Sequence, residues 1–377
     1  MSVSYIPEKV KVRLWGKAAG RCQYDGCNEP LWLDNLTNVE FNSAYIAHVI
    51  ADRPNGPRGD RVLSEELKAS ICNLMLMCDK HHRLIDREKV AEHPVERLLE
   101  MKRKHESRIE MLTSITEDKQ SHVLLYGANI GNHSAPLNWE KAAHAMLPDK
   151  YPAEKPAIEL SIKNSSFRDN EELYWILERE NLSRQFNDKV KSRISTGDIK
   201  NLSVFALAPQ PLLVYLGKLI SDIPSTEVFQ LHREPPNWLW QEHPEEFEYT
   251  LTKPEITYGK VALKLSLSAT LDNSRITKVL GEEVSIWELT IARPNNDFLK
   301  SQQQLLMFRK VFRDLLNTIK FHHGHDNELN IFLAVPVAIA IEIGRVWMPK
   351  ADLPIILYDE NRLNGGFSKT IVISNDE

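Results

Sequence analysis

The sequence predicts a metal-supported α+β module at the N-terminus, followed by an α/β domain made of two related halves. Three observations predict it. All four cysteines, Cys22, Cys27, Cys72 and Cys78, lie within the first 78 residues of a 377-residue chain. Beyond residue 155, strand-like and helix-like patterns alternate, which calls for a parallel or mixed sheet with helices on both faces. Two segments there share one grammar of strand tip, proline and helix, at Leu207-Ala208-Pro209 and Ala334-Val335-Pro336.

A chain of 377 residues exceeds one typical core and suits two domains. Its composition, 42% hydrophobic and 26% charged, is that of an ordinary globular protein and does not favour disordered or coiled-coil classes. No apolar run approaches the roughly 20 residues of a membrane span. Residues 1–9 lack the apolar core of a signal peptide, so a cytoplasmic location is expected. Cysteines there stay reduced, and clustered ones hold metal more often than disulfides. The net charge of -5 argues against a uniformly basic surface for nonspecific nucleic-acid binding but leaves room for a local cleft. Its candidate groups are Arg53, Arg58, Arg61 and Lys68, with Lys102-Arg103-Lys104 on the helix that follows. Flanked by Glu100 and Glu106, that triplet also reads as a solvated helix face.

In chain order, Glu8 to Ala19 has an apolar stripe of Val10, Val12, Leu14 and Trp15 and a stop at Gly20, the pattern of a short amphipathic helix. Cys22 and Cys27 follow across a turn containing Gly26, a knuckle that lets two sulfurs converge on one ion. Phe41 to Ile50 is β-prone and carries His48; residues 52–60 are turn-rich and 62–70 helical. Residues 72–86 concentrate an amide, two thiols, two imidazoles and a carboxylate on an apolar background. If Leu74 to Met77 leads into a helix near Asp79, Cys78 and His81 share a face. His82 is rotated away from them, with Asp86 four residues later on its own side. The spacing therefore yields two sets: Cys78 and His81 toward the knuckle, His82 and Asp86 toward another cleft. A helix from Pro94 to about Met111 closes the module.

Residues 113–154 read as a linker and lead-in: a β-like Ser121 to Tyr126, an Asn/Gly/Ser/Pro passage and a helix over Trp139 to Met146. Then come a strand at Ala157 to Ile162, a helix over 170–193, a strand at Ser203 to Ala208 and a helix through Ile220. The grammar repeats with strands at Lys260 to Leu271 and Val284 to Ala292, a helix from Gln302 to Phe321, a strand at Asn330 to Val335 and a helix to Val346. Ile355 to Tyr358 and Lys369 to Ser374 are closing strands. Ligands of such sheets bind beyond the carboxyl ends of the strands. His322-His323-Gly324-His325, between helix and strand, reads as a solvated turn rather than a metal cluster.

Cys22…Cys27, Ala47-His48-Val49-Ile50 and Asn73 through Asp86 together resemble an HNH endonuclease (ββα-metal fold) with a zinc knuckle, over about the first 110 residues. The second domain resembles a SAVED domain, a cyclic-oligonucleotide sensor of two Rossmann-like (CARF-like) halves. That likeness rests on the paired strand-Pro-helix units, on Phe229 to Trp240 and on Ala334-Val335-Pro336 with Gly344-Arg345. The whole chain is similar to the HNH-SAVED effector nucleases of bacterial cyclic-oligonucleotide antiphage signalling (CBASS). The resemblance implies an HNH domain at 1–112 and a SAVED domain at 155–377. It implies His48 as general base, Asn73 as orienter of the base loop, and His82 with Asp86 on a catalytic magnesium or manganese ion. It further implies structural zinc on Cys22, Cys27, Cys78 and His81, with Cys72 a buried spectator; a four-thiol site including Cys72 is the rival. The HNH pattern often has a metal-binding Asp or His just before the base, and here that position is Ala47. For the sensor, base stacking points to Trp238 and Trp240, which also read as core because alternate strand residues share a face. Backbone after Pro209 and Pro336 suits phosphates, with Arg233 and Arg345 adding charge. The implied partners are double-stranded DNA, a cyclic di- or trinucleotide, a dimer or tetramer of the chain, and a CD-NTase as source of the messenger. The competing expectations are a modification-dependent restriction nuclease and a catalytically dead zinc-knuckle DNA-binding protein.

Overall fold

In the computed structural model the chain divides into two compact units, Met1–Thr116 and Glu117–Glu377. The structure describes residues 5–34, 39–114, 116–131, 137–162, 165–222, 225–361 and 365–374. The leader reading of residues 1–4 and the polar passage at 132–136 lie outside them.

In the first unit, α1 (Glu8–Ala18) ends where Ala19 and Gly20 turn left-handed, at φ 50 and 62, and the chain enters the knuckle. β1 (Tyr45–His48), α2 (Leu63–Leu67), β2 (Leu74–Met77), α3 (Asp79–Arg83) and α4 (Val95–Thr113) follow. β1 and β2 pair antiparallel, Tyr45 against Met77 and His48 against Leu74. With α3 entered directly from β2, the arrangement is strand, strand, helix. All four β2 residues are buried, in a small core with Leu14, Ala18, Ala47, Val49, Ile85 and Leu98. Each such large side chain contributes about 1.5–3 kcal/mol when fully buried.

The second unit holds two sheets. Its first half runs β3 (Gln120–Gly127), α5 (Trp139–Met146), β4 (Tyr151–Pro152), β5 (Ile158–Glu159), α6 (Glu172–Phe186), α7 (Ser192–Ser195), β6 (Asn201–Leu207), α8 (Gln210–Ile220) and β7 (Ser225–Val228). These strands are all parallel, in the order β4-β3-β6-β7 with β5 also beside β3. The second half runs β8 (Thr250–Thr252), β9 (Lys260–Ser266), α9 (Asn273–Leu280), β10 (Val284–Thr290), α10 (Gln302–His323), β11 (Leu329–Ala334), α11 (Val337–Val346), β12 (Ile355–Asn361) and β13 (Gly366–Ile373). Its order is β13-β12-β11-β9-β10-β8, parallel through the middle and antiparallel at both edges. Residues 113–154 are thus not a linker: they supply β3, which pairs with β6 along most of its length, and α5. The strand expected to run to Leu271 stops at Ser266, and Asp272 caps the unanticipated α9 through its side chain and Ser274 N–H.

α8 and α11 join the halves. A Cβ on Gly217 would lie 1.9 Å from the Ile341 carbonyl oxygen, and one on Gly344 would lie 1.9 Å from that of Val214. Each glycine sits eight residues after the proline that opens its helix, and each target carbonyl three residues before the opposite glycine. The contact is reciprocal, as two related halves require, and only a residue without a Cβ permits so close a backbone approach.

Candidate functional site

The first constellation is the knuckle. Cys22 and Cys27 flank the turn after α1, Cys78 caps α3, and His81 lies within it; one ligand atom from each falls within 4.8 Å of all the others. His81 Nδ1 is 3.1 Å from Cys78 Sγ and 3.7 Å from Cys22 Sγ. Tyr24 stacks flat on the His81 ring, centroids 4.1 Å apart, and its hydroxyl meets His93 Nε2 at 3.1 Å while His93 Nδ1 faces the Lys89 carbonyl. That chain of contacts braces the imidazole with Nδ1 toward the thiols. Burial pushes the Cys22 and Cys78 thiols up and the His81 imidazole down. Burial thus disfavours the thiolates of Cys22 and Cys78, and a bound cation would reverse that preference. Three sulfurs and one imidazole suit tetrahedral zinc. Cys72 is outside the cluster, beside Ser70 Oγ at 3.0 Å, and is exposed rather than buried; no four-thiol set forms.

A second set lies on the strand-strand-helix element. His48, the last residue of β1, is buried, and its Nε2 donates to the Lys68 carbonyl at 2.9 Å, which in a neutral ring leaves the lone pair on Nδ1. Asn73 Oδ1 accepts from Ile50 N–H at 2.8 Å, and Nδ2 donates to the carbonyls of Ile50 (2.8 Å) and Leu67 (3.3 Å). Asn73 thereby ends β1 and ties down the chain just past His48. His82 stacks on Tyr45 (5.0 Å, 20°), and its Nε2 is 3.3 Å from Asp86 Oδ2. Burial lowers the His82 pKa, against the opposing Asp86 charge, which favours the neutral imidazole that metals need. Asp86, expected as a metal ligand, has its other oxygen 2.6 Å from Arg58 Nη2. Both of its oxygens thus have partners, Arg58 and His82. Ala47, opposite Met75, packs into the core. Of the expected basic groups, Arg58 is internal, Lys102 pairs with Glu106, and Lys104 pairs with Asp25 at 3.1 Å, so the triplet is largely a paired helix face. His323 accepts from Trp287 Nε1 at 3.0 Å, and among the described residues the histidine run forms no metal cluster.

The second unit has a cleft of about 650 Å³ at the carboxyl ends of β6 and β11. It brings together Pro209, Pro336 and Arg233, three of the six expected ligand contacts, with Gln230, His232 and Asp359. The other three lie elsewhere. Trp238 is 4% exposed, edge-on to Phe205 and packed with Met146 and Phe229, and offers no face for stacking. Trp240 packs edge-on to His232, outside the cleft lining. Arg345 is buried, with Nη1 2.6 Å from Glu342 and Nε 3.2 Å from the Ser221 carbonyl, so its charge is spent inside the helix pair. Gln230 and His232 were missed. Gln230 Oε1 accepts from Ala338 N–H in the first turn of α11. His232 is 1% exposed, and among the described residues neither ring nitrogen has a hydrogen-bond partner. Burial, then the nearby Asp169 charge, pushes the Asp359 carboxyl up to about 7. The residues following β7 were the signal for both, since chain leaving a parallel strand borders the cleft.

Residues 182–373 match the family described as SMODS-associated and fused to various effectors sensor domain, SAVED. No curated protein matches the chain. Among solved structures, the Acinetobacter baumannii Cap4 SAVED/CARF-domain containing receptor with the cyclic trinucleotide 2'3'3'-cAAA is 14% identical, with a TM-score of 0.44, over 74% of this chain and 56% of that one. The same receptor with 3'3'3'-cAAA gives 13%, 0.44, 74% and 60%. The Moraxella osloensis Cap4 receptor gives 11%, 0.42, 84% and 66%. The chain thus spans 56% to 66% of the length of these receptors. Because the family match takes in just over half of the chain, including the whole six-stranded sheet, the protein belongs to the SAVED sensor-domain family.

Proposed function

We propose that this protein is a signal-gated HNH endonuclease, an effector of CBASS-type antiphage defence that cuts double-stranded DNA when a cyclic di- or trinucleotide occupies the SAVED cleft. The observation that carries the reading is the combination, in one SAVED-family chain, of a Cys3His cluster with a strand-strand-helix element bearing His48, Asn73 and His82.

His48 is the general base. Its Nε2–H is committed to the Lys68 carbonyl, so Nδ1 takes the proton from the attacking water. Asn73 keeps the base loop in place. The donors fit a hard divalent ion such as magnesium or manganese in part: neutral His82, beside Asp86, would offer it one ligand. When bound, that ion supplies charge stabilisation at the phosphate and the leaving oxygen. In the cleft, the Gln210 and Val337 N–H groups at the starts of α8 and α11 would meet the messenger's phosphates, since Pro211 has none and Ala338 N–H goes to Gln230, with Arg233 adding charge. Gating requires the ligand to bind an assembled dimer or tetramer more tightly than the free chain, and a CD-NTase would supply it.

Plasmid digestion with magnesium, with and without a panel of cyclic di- and trinucleotides, tests this. Cutting is expected with one panel member and lost in His48→Ala. Equal cutting with and without ligand removes the gating, and an unchanged His48→Ala protein removes the nuclease.

A further inference from the structure

We infer that Arg58 is the positioning residue of the His48/His82 site, one guanidinium that holds both the base loop and the carboxylate aiming His82. The inference rests on the nuclease reading of that site.

The Arg58 side chain is 6% exposed. Its Nε donates to the Val49 carbonyl at 2.7 Å and its Nη1 to the Ile85 carbonyl at 2.7 Å. Nη2 donates to the His48 carbonyl at 3.3 Å and to Asp86 Oδ1 at 2.6 Å. Every nitrogen is used, and the partners fall in two groups. The His48 and Val49 carbonyls fix the end of β1, where the base sits. Ile85 and Asp86 follow α3, and Asp86 passes the constraint to His82 Nε2 at 3.3 Å. Held this way, the His82 ring is kept beside the Asp86 carboxylate.

The backbone conformation at Arg58 supports a side-chain requirement. Arg58 is left-handed, at φ 58, a region L residues rarely enter and glycine enters freely. The loop is wound tightly: a Cβ on Gly59 would meet the Pro54 carbonyl oxygen at 2.4 Å, and one on Gly56 would meet Ala51 Cβ at 2.6 Å. The loop uses glycine at 56 and 59 yet carries arginine at its left-handed position. Burial excludes Arg58 as an open phosphate contact. A lysine cannot replace it, because a single ammonium lacks the planar fork that reaches several fixed acceptors at once.

The test uses full-length, zinc-loaded protein and two variants. Arg58→Lys keeps the charge and loses the fork; Arg58→Gly relieves the backbone and loses the side chain. Three quantities are read: bound zinc, manganese binding by electron paramagnetic resonance, and the plasmid cleavage rate with activating ligand. Zinc is expected to stay at the wild-type level while manganese affinity and cleavage rate each fall by about 10–100-fold, as for other residues behind a metal ligand. Should both variants fail to fold, Asp86→Asn, which keeps the shape and removes the charge Arg58 holds, is expected to show the same losses with zinc retained. Wild-type manganese affinity in Arg58→Lys overturns the inference, as does loss of zinc in step with everything else, which marks a merely structural role. If the wild type binds manganese but never cuts DNA, the nuclease reading fails while the manganese titration still decides the role of Arg58. A wild type that binds no manganese overturns both.

Discussion

Around Cys22, Cys27, Cys78 and His81 the first unit is held by four side chains, whereas around Gly217 and Gly344 the second is held by two helices in backbone contact. The first unit has a small apolar core, in which a four-residue strand is the most buried element. A core of that size supplies little net stability once chain entropy is set against it, so a cross-link through an ion fits its needs. The second unit buries two sheets around α8 and α11 and needs no such support. The difference extends to the sites. In the proposed reading the first unit would work through particular side chains, His48, His82 and Arg58, whereas the second would work through the strand tips and helix starts that line its cleft.

The largest expected effect separates the units by metal. Structural zinc in small modules supplies on the order of 10–16 kcal/mol of folding free energy. Stripping it with a chelator, or Cys78→Ser, should abolish the melting transition of the first unit and leave that of the second in place; calorimetry of the full chain reads both. Cys72→Ser, outside the cluster, should move neither. A chelator that shifts both transitions together would break the contrast.

Next in size is the glycine pair. Gly217→Ala puts a Cβ 1.9 Å from the Ile341 carbonyl oxygen, and Gly344→Ala does the same to that of Val214. Both atoms are backbone, so the helices must separate; overpacking of this kind costs about 3 kcal/mol or more. The transition of the second unit should fall in either variant, with zinc content and the first transition unchanged. A tolerated alanine would mean that the helix contact does not hold the halves.

How much of this was legible follows the same division. The cluster of Cys22, Cys27, Cys78 and His81 could be read because cysteine is scarce in the chain and helical phase separates His81 from His82. The resemblance put Asn73 at the loop after His48, and its amide does bond the Ile50 backbone there. Arg58 was not legible: its partners are carbonyls at 48, 49 and 85 and a carboxylate 28 residues away, brought together only by the tertiary fold, and in sequence it looked like one more open basic group. Asp86 lies on the His82 side, as its spacing implied, and the fold adds a second partner, Arg58, that the sequence did not announce. Trp238 and Trp240 were read as alternating on a strand, yet no strand forms there and Trp238 turns into the core. Arg345 had a readable partner in Glu342, three residues back on a helix apolar all round, where a buried charge must pair. β3 was taken for linker because glycine and proline punctuate its surroundings, and its main partner, β6, arrives about 80 residues later.

The smallest predicted effect gives the two units opposite responses to pH. Glu178 on α6 is 2% exposed, its Oε2 has no partner among the described residues, and burial raises its carboxyl from 4.5 to about 7. A folded pKa above the unfolded one means that the folded state binds more protons between those values. Stability of the second unit therefore falls as pH rises from about 4.5 to about 7 and is level above, by at most about 3 kcal/mol from this group. Asp359, also raised to about 7, adds in the same direction. The zinc module runs the other way, since protons compete with the ion for thiolate and imidazole and stability is lost as pH falls. Melting at pH 5 and pH 8 should show the two transitions moving in opposite directions. Glu178→Gln, which cannot ionise, should flatten the slope of the second without touching the first. If wild type and variant keep parallel slopes, the buried carboxyl is not the source, and the pH dependence of the second unit must come from the cleft at Asp359 instead.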